Sequence, residues 1–206
     1  MQIAVIGSGR IGAGLGRAWL SKGHAVTFGA REPEAAESRT LARETGASVA
    51  SVASAPTGAD VVVLAMPYAA LDDVLSQVGA LAGQVVIDCT NAVLPGFVLK
   101  YGHTTSSAEQ LQARLPDAHV FKSFNAQGAE NLANPRYGDA QASNFFCGDD
   151  ARGRALVAQL VADVGFEPVD AGPLESARLL EPLMVLWVNA AKSIGTRDIA
   201  FKLLRR

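Results

Sequence analysis

Three features of this 206-residue sequence predict an α/β protein with a doubly wound parallel sheet and a small C-terminal α/β and helical extension. Short continuous apolar runs recur along the first two-thirds of the chain. Segments of helical length and period separate them. A glycine-rich turn links the first run to the first of these segments. Strands that are apolar on both faces belong in a parallel sheet covered by helices, and strand–helix alternation winds such a sheet with a right-handed crossover.

The first strand is Ile3-Ala4-Val5-Ile6, followed directly by Gly7-Ser8-Gly9-Arg10-Ile11-Gly12 and a helix over about 11–22. A lone GxGxxG carries little weight, but strand–turn–helix is the setting in which it binds a dinucleotide. Gly7 permits the tight turn, Gly9 lets the backbone approach a pyrophosphate, and Gly12 lets helix and strand pack closely. The first-turn amides and the helix dipole then favour the phosphates. Gly23 is placed to end the helix in the left-handed conformation.

The second strand, Ala25-Val26-Thr27-Phe28, runs into Gly29-Ala30-Arg31-Glu32. An NAD site usually has an acidic residue at this strand end, whereas an NADP site has small residues and an arginine for the 2′-phosphate. Ala30 and Arg31 therefore point to NADP(H), with Glu32 as the contrary feature. A helix is expected over 33–45. Val61-Val62-Val63-Leu64 is the next strand, and Ala65-Met66-Pro67 after it is expected to run along the cofactor before a helix over 69–81.

Val85-Val86-Ile87 leads to Asp88-Cys89-Thr90-Asn91, and Val120-Phe121-Lys122-Ser123-Phe124 leads to Asn125-Ala126-Gln127. In open α/β sheets ligands lie beyond the carboxyl ends of the strands. Asn91 and Asn125 are thus the polar groups expected nearest a nicotinamide carboxamide or second substrate, and each can equally tie down its own loop. Asp88 reads as a structural hydrogen-bond acceptor. Thr105 or Ser106 caps a helix over about 105–114, with Glu109 in its first turn.

Residues 1–124 are expected to form the dinucleotide-binding domain and 125–206 a smaller C-terminal region. In the latter, a loop over 125–142 precedes Phe145-Phe146, a helix over 151–164 and Phe166-Glu167-Pro168-Val169. The last helix, about Leu179–Ile194, contains Leu183-Met184-Val185-Leu186-Trp187-Val188. Glu181, Pro182, Asn189 and Lys192 interrupt it well below a bilayer-spanning length. It is expected to be buried in the core, or against a second copy in a homodimer.

Eighteen basic and twenty acidic residues give a net charge of -2, with no basic stripe for nucleic acid. No membrane association and no export signal are expected, which leaves the cytoplasm. Cys89 and Cys147 read as small buried hydrophobes rather than a redox or metal pair. His24, His103 and His119 have no relay partners in the sequence, and no metal is expected. The catalytic residues are not legible, and Asn91 and Asn125 are candidates for positioning only. Hydride transfer between aligned rings needs no such relay.

The Gly7–Gly12 turn, Gly29-Ala30-Arg31, Val61–Pro67, Val86–Asn91, Lys122-Ser123-Phe124-Asn125, and Asp170-Ala171-Gly172-Pro173-Leu174 with Ala177–Pro182 together resemble one family over nearly the whole chain. It is the family of NADPH-dependent reductases of coenzyme F420, whose Rossmann domain also occurs in the STEAP metalloreductases. The resemblance implies NADP(H) at Gly7, Ser8, Gly9, Arg10, Ile11, Gly12, Ala30, Arg31, Ala65, Met66, Pro67 and Asn91. It also implies hydride exchange with a deazaflavin F420 or a flavin-like acceptor, and a dimer formed with help from the C-terminal region; a quinone-like acceptor is a further expectation, not one that the resemblance carries. Ala30 stands where family members often carry serine. A dinucleotide-binding sensor without catalysis is the alternative that the missing proton donor leaves open.

Overall fold

The computed structural model describes residues Met1–Arg206. Twelve strands and six α-helices follow in chain order: β1 (Gln2–Ile6), α1 (Arg10–Ser21), β2 (Ala25–Ala30), α2 (Ala36–Thr45), β3 (Ser48–Ser51), β4 (Val61–Leu64), α3 (Leu71–Val78) and β5 (Val85–Asp88). Next come β6 (Val93–Leu94), β7 (Val98–Leu99), α4 (Ser107–Arg114), β8 (His119–Ser123), β9 (Arg136–Tyr137), β10 (Ala140–Gln141), β11 (Ser143–Gly148), α5 (Ala151–Val164), β12 (Glu167–Asp170) and α6 (Ala177–Ile194).

Eight strands form one sheet in the order β12-β11-β8-β5-β4-β1-β2-β3. From β8 across to β3 every pairing is parallel. β1 has β2 on one side and β4 on the other, so the chain changes direction at this point. The crevice between their carboxyl ends is the usual ligand position in such a sheet. The two faces share the strands by alternation. Ile3 and Val5 pack with Leu15 and Trp19 of α1 and Val157 and Leu160 of α5, whereas Ala4 and Ile6 pack with Leu71 and Val74 of α3 and Leu111 of α4.

The helix ends have local causes. Gly23 takes φ +82 just beyond α1. Ser106 caps α4, accepting from the Glu109 amide at 3.2 Å and donating to its carboxylate at 2.8 Å. α2 begins at Ala36 rather than 33 because residues 32–35 form a separate turn, with Ala35 N and Ser38 Oγ both donating to the Glu32 carbonyl. α3 is preceded by a 3-10 turn at Tyr68–Ala70 and stopped by Gly79 at φ +73, which shortens it relative to 69–81.

β11 runs antiparallel to β8, while β12 runs parallel to β11. The loop after β8 returns to the sheet at the end it left, and without a crossover the next strand must be antiparallel. α6 is not apolar on every side. It buries Leu180, Glu181, Met184 and Trp187 and exposes Leu179, Leu186 and Ile194. No helix is long and apolar enough to cross a membrane.

Candidate functional site

The glycine turn sits at the switch point, and its three glycines have three different reasons to be there. Gly7 has φ +107, and a Cβ on it would stand 2.7 Å from the Ala65 carbonyl oxygen at the end of β4. A Cβ on Gly12 would overlap the Gly7 carbonyl oxygen. A Cβ on Gly9 would meet nothing within 4 Å. The space over Gly9 is therefore open on the ligand side. Gly9 caps α1 without a side-chain hydrogen bond, and no acidic residue occupies the first turn. The amides at Arg10, Ile11 and Gly12 have no intrahelical partner and suit an anion.

A groove of about 740 Å³ runs from this turn past the end of β2 and along the segment after β4. That size accommodates a dinucleotide or a large part of one. Gly7, Ser8, Gly9, Ala30, Arg31, Ala65, Met66 and Pro67 all line it. Ile11 instead packs against the core, and Arg10 turns to the adjoining cavity, where it meets Glu130 at 2.6 Å. Glu130 also holds Arg197 at 3.1 Å. Burial raises the Glu130 carboxyl, but backbone hydrogen bonding and then Arg197 and Arg10 outweigh it and leave it at about 2.

The strand end that separates NAD from NADP sites is closed to a carboxylate at Gly29. A Cβ there would lie 2.6 Å from Ile6 Cδ1. Arg39 nearby is taken by Glu34, whereas Arg31 lines the groove without an ion-pair partner. Glu32, Glu37 and Asp73 line the same groove, so the positive charge of Arg31 is set among carboxylates.

Asn91 and Asn125 are not among the residues that line this groove; they form a reciprocal pair beyond β5 and β8. Asn91 Nδ2 donates to the Asn125 carbonyl at 2.9 Å, and Asn125 Nδ2 donates to Asn91 Oδ1 at 3.0 Å and to the Leu180 carbonyl at 2.8 Å. Asn125 Oδ1 and the second Nδ2 hydrogen of Asn91 keep no protein partner. Phe124, immediately before, has φ +55 although it is bulky and buried, and its ring meets Trp19 edge-on at 5.9 Å. A left-handed phenylalanine is a true backbone outlier, held here by packing.

Beneath the asparagines lies a cluster that the sequence did not reveal. Lys122, in register with Asp88, is fully buried and donates to Asp88 at 2.8 Å, the Thr90 carbonyl at 2.6 Å and Ser107 Oγ at 3.0 Å. Glu181 lies 3.1 Å from its ammonium. Burial alone would lower the Lys122 ammonium, but the Asp88 and Glu181 carboxylates reverse this and hold it above its ordinary value. Asp88 also accepts from the Thr90 amide, which fixes the first residues after β5.

Cys89 and Cys147 are free and buried, and burial pushes both thiols up, Cys147 to about 12. His24 meets Asp163 at 2.9 Å at the opposite end of β2, and His119 is 3.8 Å from Asp150. His103 takes φ +56 in the loop before α4. None lines the groove.

Residues 2–92 match the family model described as NADP oxidoreductase, coenzyme F420-dependent. The F420-dependent NADP reductase of Methanothermobacter marburgensis is 30% identical over 206 residues, with 92% of each chain covered. Metalloreductase STEAP3 of Rattus norvegicus is 32% identical over 190 residues, which is 90% of this chain and 37% of that protein. The chain thus spans about two-fifths of the length of the metalloreductases it matches. Among solved structures, a putative F420-dependent NADP reductase from Arthrobacter sp. FB24 has a TM-score of 0.90 and 31% identity over 98% of this chain and 99% of that one.

Proposed function

We propose that this chain, which belongs to the coenzyme F420-dependent NADP oxidoreductase family, is an NADP-dependent oxidoreductase that passes hydride between NADPH and a deazaflavin of the F420 type. Other flavin-like or quinone-like rings are the neighbouring acceptor chemistries. The observation that carries the reading is the Asn91–Asn125 pair, whose unused donor and acceptor match the carbonyl and amino groups of a nicotinamide carboxamide. The dinucleotide supplies the hydride. The chain's own residues bind and orient: the Gly7–Gly12 turn takes the pyrophosphate, Ala65–Pro67 lie along the cofactor, and the asparagines set the ring angle. Proximity and orientation then supply the acceleration.

Stopped-flow oxidation of NADPH against F420, FMN, FAD and menadione tests this, with F420 expected to turn over fastest. Tight NADPH binding with no acceptor reduced would overturn it.

Arg31 is assigned to the 2′-phosphate. Arg31→Ala is expected to raise the KM for NADPH by about tenfold, the loss of one charge-assisted contact, and to leave that for NADH nearly unchanged. Equal changes for both cofactors would refute the assignment. Glu37→Gln, which removes a carboxylate from the same groove, is expected to lower the NADPH value in the same assay.

Residues 125–206 are assigned the acceptor site and the contacts of a homodimer. The exposed stripe Leu179, Leu186 and Ile194 follows one face of α6, and Lys192 from the same helix lies 5.1 Å over the ring of Phe97, between β6 and β7. Leu94, Phe97 and Val98 are also exposed, around the turn that joins β6 and β7. Sedimentation is expected to give twice the 21.4 kDa chain mass, and Leu186→Glu to halve it. A wild-type monomer would rule the dimer out.

A further inference from the structure

The buried cluster joins side chains from four separate elements of the chain. Lys122 comes from β8, Asp88 from β5, Ser107 from the first turn of α4 and Glu181 from α6. Glu181 Oε1 accepts from both the amide and the hydroxyl of Ser107, at 2.8 Å and 2.6 Å, so that α6 supplies a carboxylate to the N-terminus of α4. One residue away along the chain, the Leu180 carbonyl accepts from Asn125. On the other side, Lys122 grips the Thr90 carbonyl, one residue before Asn91. The cluster therefore holds both asparagines by the residues next to them.

Its composition is not what stability alone would select. Two carboxylates surround one ammonium, all essentially inaccessible to solvent, and Glu181 Oε2 and Thr90 Oγ1 are buried without any partner. Apolar residues of similar volume would commonly serve a core at least as well. What the ionic version supplies is direction, because each hydrogen bond admits one geometry of the loop after β5 relative to α6.

We infer that Glu181 and Lys122 are positioning residues for hydride transfer, which act by fixing the Asn91–Asn125 pair that orients the nicotinamide. The inference rests on the asparagine assignment above and adds the device that holds those residues in place. A displacement of the pair by a fraction of an ångström tilts the ring and leaves the adenine and phosphate contacts intact. The signature is a loss in kcat without a matching loss in cofactor affinity.

Glu181→Ala removes the acceptor, whereas Glu181→Gln keeps Oε1 for Ser107 and Lys122. Both are compared with wild type well below their melting temperatures, by kcat for NADPH-driven reduction of F420, by the dissociation constant of NADPH, and by the fluorescence lifetime of bound NADPH. Glu181→Ala is expected to lower kcat on the order of tenfold to a hundredfold and to shift the lifetime towards that of free NADPH, as for a misplaced reacting group. NADPH affinity should stay within about twofold, since contacts remote from the ring supply it. Glu181→Gln is expected to restore most of both. A Glu181→Ala protein that melts earlier yet keeps its kcat and lifetime would show a purely structural cluster and overturn the inference. Should that variant not fold, Ser107→Ala removes one hydroxyl, leaves every charge, and is judged by the same two readouts. Asn91→Ala and Asn125→Ala separate the two levels. Full kcat in these variants sinks the asparagine assignment itself, whereas loss in them with none at Glu181 sinks only the positioning role.

Discussion

Gly9→Val is expected to leave the melting temperature of the cofactor-free protein nearly unchanged and to weaken NADPH binding on the order of a hundredfold, about 2.7 kcal/mol. Both halves follow from the turn. The φ of Gly9 is -68 and its ψ -175, a conformation open to any residue, and a side chain there meets no protein atom within 4 Å. Folding therefore has little to lose. The space a valine would fill is the approach to the free amides of α1, where the pyrophosphate is assigned. Thermal melts with and without NADPH, together with a fluorescence titration, check the pair of outcomes. Gly12→Ala is the control, because its methyl would strike the Gly7 carbonyl and force α1 away from β1. That variant is expected to lose stability and binding together. If Gly9→Val keeps wild-type affinity, the pyrophosphate does not lie over this turn.

Lys122→Met is expected to cost about 3–5 kcal/mol, because it strands the carboxylates of Asp88 and Glu181 in the core without their counter-charge. Against a total of roughly 5–15 kcal/mol for an ordinary domain, that is a large share. Urea unfolding at neutral pH measures it. The pH dependence has a definite sign. Lys122 is raised from its ordinary value of 10.5, so folding binds its proton more tightly than the unfolded chain does. Its contribution is fully present below pH 10.5 and declines as the pH climbs through the higher folded value. The gap between wild type and Lys122→Met should accordingly be constant at neutral pH and narrow in strong alkali. A variant as stable as wild type would mean that the cluster is not ionic.

The legible parts of this fold are those where a single physical requirement acts on neighbouring residues. β1, β4 and β5 are covered on both faces, so each is a continuous apolar run. The Gly7–Gly12 turn is read from local steric needs, and α5 and β12 lie close to their expected limits for the same reason. β3 escapes notice because Ser48–Ser51 is short and only partly buried at the sheet edge. The orientation of β11 depends on where a long loop lands, which no local pattern encodes.

The cluster is invisible for a different reason. Lys122 interrupts an apolar run and Glu181 interrupts an apolar helix, so each reads as an isolated polar residue. Only the pairing of β5 with β8 puts Lys122 beside Asp88, and only the packing of α6 brings Glu181 to Ser107, 74 positions away in sequence. A buried charge inside an otherwise apolar segment is nonetheless a signal, since its cost demands a partner somewhere. The asparagine pair was approachable because each member follows a strand of a recognisable sheet.

Phe124 holds a left-handed backbone at a cost of about 1–3 kcal/mol, offset by the packing of its ring against Trp19 and the surrounding core. Because the contacts that hold this corner come from the chain's own core, a dinucleotide oriented by Asn125 is expected to have little left to organise there. Calorimetry would record this as a small conformational-entropy penalty on association, and relaxation measurements as a backbone equally stiff at residues 123–126 in the free and bound protein.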